Sequence, residues 1–409
     1  MRMLVNLAIL LMMVGVAPIS SSAQEKETTP KTTPAQMIDA ATGKILTEAV
    51  EALNTENYDA AKQAIGKLNL EKLSPYERSQ VEQILASIDQ SQENYPSARN
   101  HLAAAIAAGG LNEVDISRLH FQIAQLWLAQ EKWKEGAAAL EDWFKTTTSP
   151  NSAAYYMLAI AYYQQDLLDK ALPPAQKALE LAEKPQESWI SLVLALHLQK
   201  EHWKEAIPLL TQLINMFPDK KGYWLQLSSV YGQLEQYPKA LAIMQLAYNA
   251  GLLVDDSDVR RLADLMLFNN VPYRCGQFLD EAIAKKIVKV DSKLYEKQAN
   301  CWVAAREYGK SIEPLGKAAE LSENGDLFVR LGEVQVQRNE WASASAALTK
   351  GINKGGLKDL GYAQLMLGIA LFNQKEMSQA KGWFQKAKSS NQQRKTAEGY
   401  LQLMRAQES

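Results

Sequence analysis

The chain has 409 residues, 47% hydrophobic and 22% charged, with 44 Lys and Arg against 46 Asp and Glu and a formal net charge of −2. That length exceeds one compact core of ordinary size, which leaves either several domains or an array that grows along one axis. The near-neutral balance supplies no basic field for nucleic acid or an anionic membrane, and it is not acidic enough for a disordered acidic tail.

The first residues read as a targeting segment. Met1-Arg2 gives a short positive start, and Leu4 to Ala17 is apolar apart from Asn6 and Gly15. Ser21-Ser22-Ala23 places small residues at the −3 and −1 positions of a cleavage site before Gln24. The apolar run falls short of the roughly 20 residues that a membrane-spanning helix needs. No Cys follows the small residues, which excludes lipid attachment at this site. The expectation is an exported protein with residues 1–23 removed and no membrane span afterwards. In a Gram-negative cell that means the periplasm. Residues 24–39 follow as a polar, Pro-containing linker without apolar period, expected to be disordered.

From about Ala40 onward the sequence is self-similar. One column holds a small residue: Ala61, Ala98, Gly136, Ala171, Ala206, Ala240, Cys275, Ser311, Ala344 and Ala380, spaced by 33 to 38 residues. Three residues earlier stands an aromatic at Tyr58, Tyr95, Trp133, Trp203, Tyr237, Tyr308 and Trp341, with Leu168, Pro272 and Met377 as departures. Four residues later comes a large apolar side chain in nearly every unit, from Ile65 to Phe384. Twelve or thirteen residues earlier lies a large-then-small pair, as in Leu158-Ala159, Leu331-Gly332 and Leu367-Gly368. Loop signals fall between units at Gly109-Gly110, Ser149-Pro150, Asn324-Gly325 and Gly355-Gly356.

Apolar residues at helical spacing give each segment one buried stripe. Small residues mark where two helix backbones approach closely. Trp224-x2-Leu227-Ser228-x2-Tyr231 followed by Tyr237-x2-Ala240-x3-Met244 resembles the tetratricopeptide repeat, as does Tyr155-x2-Leu158-Ala159-x2-Tyr162 followed by Ala171 and Ala178. The resemblance implies an all-α, α-α superhelix of about ten helix-turn-helix units over 40–391. A capping helix and tail would occupy 392–409. The first unit is the weakest match, because Glu48 stands where a large apolar residue belongs.

Cys275 fills the small column of one unit, and Cys301 lies in the first helix of the next. Stacking makes those helices neighbours. Both a disulfide staple, which export permits, and two buried thiols fit this placement. His101, His120, His197 and His202 lack metal-ligand spacing, since His197 and His202 are five apart rather than four. Trp133, Trp203, Trp224 and Trp341 fall on repeat positions that pack the core. No phosphate loop, nucleophile elbow, zinc-protease helix or dinucleotide turn is present. The reading is therefore a binding protein rather than an enzyme, with no cofactor and no metal.

The repeat resemblance also implies where a partner would bind, because the concave wall of such proteins is lined by first-helix residues facing away from the second helix. Carried over residue by residue, this selects Phe121, Gln125, Tyr156, Tyr163, Gln164, Gln199, Arg260, Asp264 and Glu333. Tyr156, Tyr163 and Phe121 would supply stacking area, Gln125, Gln164 and Gln199 would meet peptide backbone, and Arg260 a carboxylate.

A narrower likeness rests on Ala159 to Gln165 (AIAYYQQ), Ala171 to Ala175 (ALPPA), Tyr223 to Gly232 (YWLQLSSVYG), Ala250-Gly251, Pro272-Tyr273 and Gly368 to Phe372 (GIALF). Together these resemble the periplasmic repeat proteins that accompany TonB/ExbB/ExbD-type energy-transduction systems. The resemblance implies an accessory role in TonB-dependent uptake, with those membrane proteins as partners. Both Cys stand where that family has Ala. The competing reading is a scaffold for envelope or polysaccharide assembly and secretion.

Overall fold

The computed structural model describes residues 37–408. The expected signal segment and all but the end of the linker lie outside the described residues. Among the described residues there are 21 α-helices and one short 3-10 turn, Leu70–Lys72. The helices run as ten pairs: α1 (Ala40–Asn54) with α2 (Tyr58–Gly66), α3 (Pro75–Ser91) with α4 (Tyr95–Ala107), α5 (Glu113–Ala129) with α6 (Trp133–Thr146), α7 (Ser152–Gln164) with α8 (Leu168–Leu181), and α9 (Glu187–Gln199) with α10 (Trp203–Met216). They continue as α11 (Lys221–Gln233) with α12 (Tyr237–Asn249), α13 (Asp256–Phe268) with α14 (Pro272–Ala284), α15 (Ser292–Ala304) with α16 (Tyr308–Leu321), α17 (Asp326–Gln337) with α18 (Trp341–Lys354), and α19 (Leu360–Asn373) with α20 (Met377–Ala387). A final helix, α21 (Arg394–Glu408), follows unpaired. The expected all-α fold of about ten helix-turn-helix units is what forms. The described residues divide into two compact units that meet between Leu209 and Leu210, inside α10.

The small column lies at the closest approach of each pair. Its ten occupants are all buried, and Ala61, Ala98, Ala171, Ala206, Cys275, Ser311, Ala344 and Ala380 are fully so. A Cβ added to Gly136 would sit 2.3 Å from the Leu128 side chain; one on Gly332 would meet Leu348 at 2.5 Å, and one on Gly368 would meet Phe384 at 2.7 Å. A larger side chain at these places separates the helices, which is why the columns are small. Hydroxyls join the same contact: Ser228 Oγ donates to the Ala240 carbonyl at 2.9 Å, and Ser79 Oγ to the Ala105 carbonyl at 2.7 Å. The aromatic column is the first residue of the second helix. Its members Tyr58, Tyr95, Trp133, Trp203, Tyr237, Tyr308 and Trp341 are half-buried rather than enclosed, because each sits at an exposed corner.

A second regularity joins the helices of each pair. Two residues before every second helix the backbone is left-handed: Glu56, Glu93, Glu131, Asp166, Glu201, Glu235, Asn270, Arg306, Asn339 and Lys375, with φ between 56° and 67°. The next N–H then reaches back five residues into the first helix, as in Gln236 N to Tyr231 O at 2.8 Å and Leu167 N to Tyr162 O at 3.0 Å. These are Schellman closures, which satisfy the carbonyls that a helix end leaves open. Glycine suits this conformation best, yet none of the ten turns uses it.

The weakly matching first unit still forms a pair. Ala49 and Ala61 are fully buried, while Glu48 faces solvent and meets Lys67 at 2.8 Å. Its entrance is held by Glu77, whose carboxylate accepts from Ser74 N at 2.8 Å and from Asp39 N at 2.9 Å. These backbone donors hold the Glu77 carboxyl below its usual range.

His197 on α9 is 4% exposed, with Nδ1 3.3 Å from His202 Nδ1 and Nε2 3.4 Å from Gln176 Nε2. Burial, and then the neighbouring His202, lower its pKa, against an opposing pull from Glu205. A base with a lowered folded pKa binds fewer protons folded than unfolded. Its contribution to stability is therefore complete above the unfolded value of about 6.5 and is lost as pH falls.

Two outcomes follow from these local features. Replacing Glu235 by Gly relieves the left-handed Cβ contact and is expected to raise unfolding free energy by about 0.5–1 kcal/mol, whereas Glu235→Val should lower it by at least as much; urea denaturation of both variants measures this. The urea midpoint of the parent chain should fall between pH 7 and pH 5, and His197→Gln should flatten that slope.

Candidate protein-interaction site

The candidate residues of the first unit lie on three successive first helices. Side-chain caps start two of them: Asn112 accepts from Asp115 N at 2.8 Å to open α5, and Asn151 from Ala154 N at 2.9 Å to open α7. The structure brings these residues into one ladder. Gln125 Nε2 on α5 faces the Met157 sulfur on α7 at 3.9 Å, and Gln199 Nε2 on α9 donates to the Tyr163 hydroxyl on α7 at 3.3 Å. Tyr156 stacks on Trp189 of α9 with ring centroids 4.9 Å apart. Phe121 is half-buried, 4.7 Å from the Trp143 ring.

Tyr156 and Tyr163 are only 2% and 7% exposed. Their rings are spent on the packing between α7 and its neighbours, and burial pushes the Tyr156 hydroxyl up from its ordinary titration range. The accessible part of this face is the Gln199 side chain, with half-buried Phe121, Gln125 and Gln164 beside it. It is an amide-rich strip over an aromatic floor, suited to pairing with peptide N–H and C=O groups.

In the second unit the candidate charges are already engaged between successive first helices. Arg260 on α13 pairs with Asp256 at 2.8 Å and with Asp291 at 3.2 Å, and it donates to the Lys289 carbonyl at 2.9 Å. Asp264 on α13 pairs with Lys297 on α15. Glu333 on α17 is half-buried; burial raises its carboxyl pKa, with Tyr362 of α19 as a hydrogen-bonding neighbour. The Tyr362 hydroxyl is in turn pushed up to about 12, by burial first and the Glu333 charge second. Arg260 is thus a clamp between α13 and the start of α15, and it is not free to meet a ligand carboxylate.

Another column escaped the sequence reading as a set. Six residues before the last eight second helices stand Trp127, Tyr162, His197, Tyr231, Met266, Trp302, Gln335 and Leu371, whereas the first two carry Ala52 and Asp89 there. Three of these reach a polar side chain five residues beyond the small column on the preceding second helix. Tyr162 donates to Glu141, His197 faces Gln176 at 3.4 Å, and Trp302 Nε1 donates to Asp280 at 3.4 Å. The signal was present as a column of large side chains, but pairing it with its partner requires the stacking geometry. Cys275 and Cys301 occupy the junction of α14 and α15, both fully buried, with Cα atoms 5.6 Å apart and sulfurs at 2.06 Å.

Among the described residues no group of three or more His, Cys, Asp or Glu could hold a metal ion, and no helix is long and apolar enough to cross a membrane. No curated protein matches the chain. Among solved structures, the chain is similar to a tetratricopeptide repeat protein from Parabacteroides merdae, at 12% identity over 73% of this chain and all of that one, with a TM-score of 0.38. It is also similar to YrrB, described as a TPR protein with an unusual peptide-binding site, at 17% identity over 46% of this chain and 90% of that one, with a TM-score of 0.36. MamA from Desulfovibrio magneticus matches at 16% identity over 42% of this chain and 97% of that one, with a TM-score of 0.32. Residues 121–188, from Phe121 on α5 to the start of α9, match the family model of the tetratricopeptide repeat, a segment that holds Phe121, Gln125, Tyr156, Tyr163 and Gln164, while Gln199 lies beyond it.

Proposed function

We propose that this protein is an exported scaffold that binds other proteins through its first-helix faces and serves as an accessory component of a TonB-dependent energy-transduction system. The observation that carries the binding reading is the overlap of the tetratricopeptide match at 121–188 with the α5 and α7 part of the amide-rich strip, which Gln199 of α9 extends beyond it. The sequence phrases that resemble the periplasmic companions of TonB/ExbB/ExbD systems supply the partner class. Export, from the leader at 1–23, supplies the compartment.

The compartment bears on the cysteines. The Cα separation of 5.6 Å lies within the range a disulfide spans, and full burial shields the pair. In an oxidising compartment Cys275 and Cys301 form a bridge across the α14–α15 junction. Their sequence separation is 26, and closing such a loop contributes about 2–4 kcal/mol.

A photo-crosslinking amino acid at Gln199, compared with one at exposed Glu180 on α8, tests the partner in intact cells by mass spectrometry. The expected result is a TonB-, ExbB- or ExbD-type membrane protein captured at Gln199 and about tenfold less at Glu180. Capture of glycan-assembly or secretion proteins instead would favour the envelope-assembly scaffold, and equal capture at both positions would overturn the first-helix face. For the cysteines, protein purified from the envelope without reductant should show no alkylatable thiols when denatured, and reductant should lower its melting temperature by several degrees. Two free thiols would refute the bridge.

A further inference from the structure

At three junctions a large side chain on a first helix engages a polar side chain on the preceding second helix: Tyr162 with Glu141, His197 with Gln176, and Trp302 with Asp280. The junction of α12 and α13 keeps only half of this arrangement. Gln245 stands on α12 five residues beyond Ala240, but the α13 residue at the partner position is Met266, whose thioether is at most a weak acceptor. The half-buried Gln245 carboxamide makes no hydrogen bond among the described residues.

Gln245 lines a hollow of about 350 Å³ between α12 and α14, floored by Leu262 and Met266 of α13. The Tyr248 ring meets Phe278 edge-on across it, with centroids 4.9 Å apart. Three more of its polar side chains, Asn249 of α12 with Arg274 and Gln277 of α14, also have neither a hydrogen bond nor an ion pair among the described residues.

Arg274 stands in the first turn of α14, which begins at Pro272. The helix macrodipole leaves partial positive charge at that end and disfavours a cation there. The only acidic side chain among those lining the hollow, Glu281, is already paired with Lys285. Neither the stability of α14 nor a neighbouring carboxylate therefore accounts for the guanidinium, and the hollow keeps one uncompensated positive charge with carboxamides on both walls. A carboxylate is the complement of such a set, because it takes two parallel bonds from a guanidinium and accepts from carboxamide N–H groups.

We propose that the α12–α14 hollow is a docking site for an acidic segment of a partner protein, which places an Asp or Glu side chain against Arg274 with Gln245 and Gln277 as further donors. This surface uses other helices than the amide-rich strip on α5, α7 and α9, so the failure of either leaves the other standing.

The test titrates the full chain with blocked pentapeptides, followed by saturation-transfer NMR. Ac-AAEAA-amide is the acidic probe, Ac-AAQAA-amide its neutral counterpart, and Ac-AAQAA with a free C-terminus presents a chain end instead. The acidic probe should bind the parent chain, and the neutral one about fivefold more weakly, as befits a charge-assisted contact open to solvent. Arg274→Gln should bring the acidic probe down to the level of the neutral one. Arg274→Glu should reverse the preference, so that Ac-AAKAA-amide binds that variant better than the acidic probe does. Arg261→Gln removes another arginine that has no partner among the described residues and does not line the hollow, and it should leave binding unchanged. Arg274→Gln should melt at or above the parent temperature, because it removes an unpaired cation from the first turn of a helix. Absence of binding, equal binding of the acidic and neutral probes, unchanged binding in Arg274→Gln, or an equal loss in Arg261→Gln would overturn the proposal. So would a lower melting temperature in Arg274→Gln, which would show that the guanidinium is satisfied within the fold. Tighter binding of the free C-terminus than of the acidic side chain would give the hollow to a chain end. Concentration-dependent self-association that Arg274→Gln abolishes would give it to a second copy of the chain, and either result would refute the docking of a partner's acidic side chain.

Discussion

Every element of this fold depends on two helices coming close enough that only a small side chain fits between them. At Gly136, Gly332 and Gly368 a single added Cβ would enter the volume of Leu128, Leu348 or Phe384. Where the column carries Ala, the same contact closes with no exposed surface. Close approach lets the apolar stripes of both helices bury against each other, and dispersion between packed side chains accumulates over the whole pair. The left-handed turn makes it possible, since it reverses the chain within a few residues while still satisfying the last carbonyls of the first helix.

Pairs formed this way still have one uncovered face, and the junctions between pairs show how it is covered. Polar side chains take part there beside the apolar ones. Arg260 links α13 to the start of α15, Lys221 of α11 reaches both Asp255 and Asp258 at the start of α13, and Tyr362 of α19 meets Glu333 of α17. Such contacts specify which first helix sits beside which, because an unpaired partner would be left partly buried. They also limit what remains for binding. A side chain already bridging two repeats contributes shape and rigidity to a surface more than it contributes a free charge.

This division bears on function. The face formed by α5, α7 and α9 presents amides over a closed aromatic floor, which suits main-chain groups of a peptide and leaves little ring area for stacking. The grooves between second helices are the complementary case. Hollows lie there over Gln335 of α17 and over Met266 of α13.

The helix pairs and their approximate number were legible in the residues themselves, because close approach restricts composition at a nearly fixed period and leaves a record at Ala61, Ala98, Gly136 and their successors. The left-handed turns were not, since Glu, Asp, Asn, Arg and Lys occupy them and none advertises positive φ as glycine would. Nor was the accessibility of Tyr156 and Tyr163, which the repeat pattern placed on an open wall and which the packing of α9 against α7 encloses. Periodicity reports which face of a helix is apolar, but not how far the neighbouring pair covers it. The engagement of Arg260 with Asp291, 31 positions away, and the hollow lined from Val290 to Lys350 arise between residues that only stacking brings together. The repeating contacts within a pair were thus set by local sequence, whereas the contacts between pairs, which decide what a partner can reach, were decided by the tertiary structure.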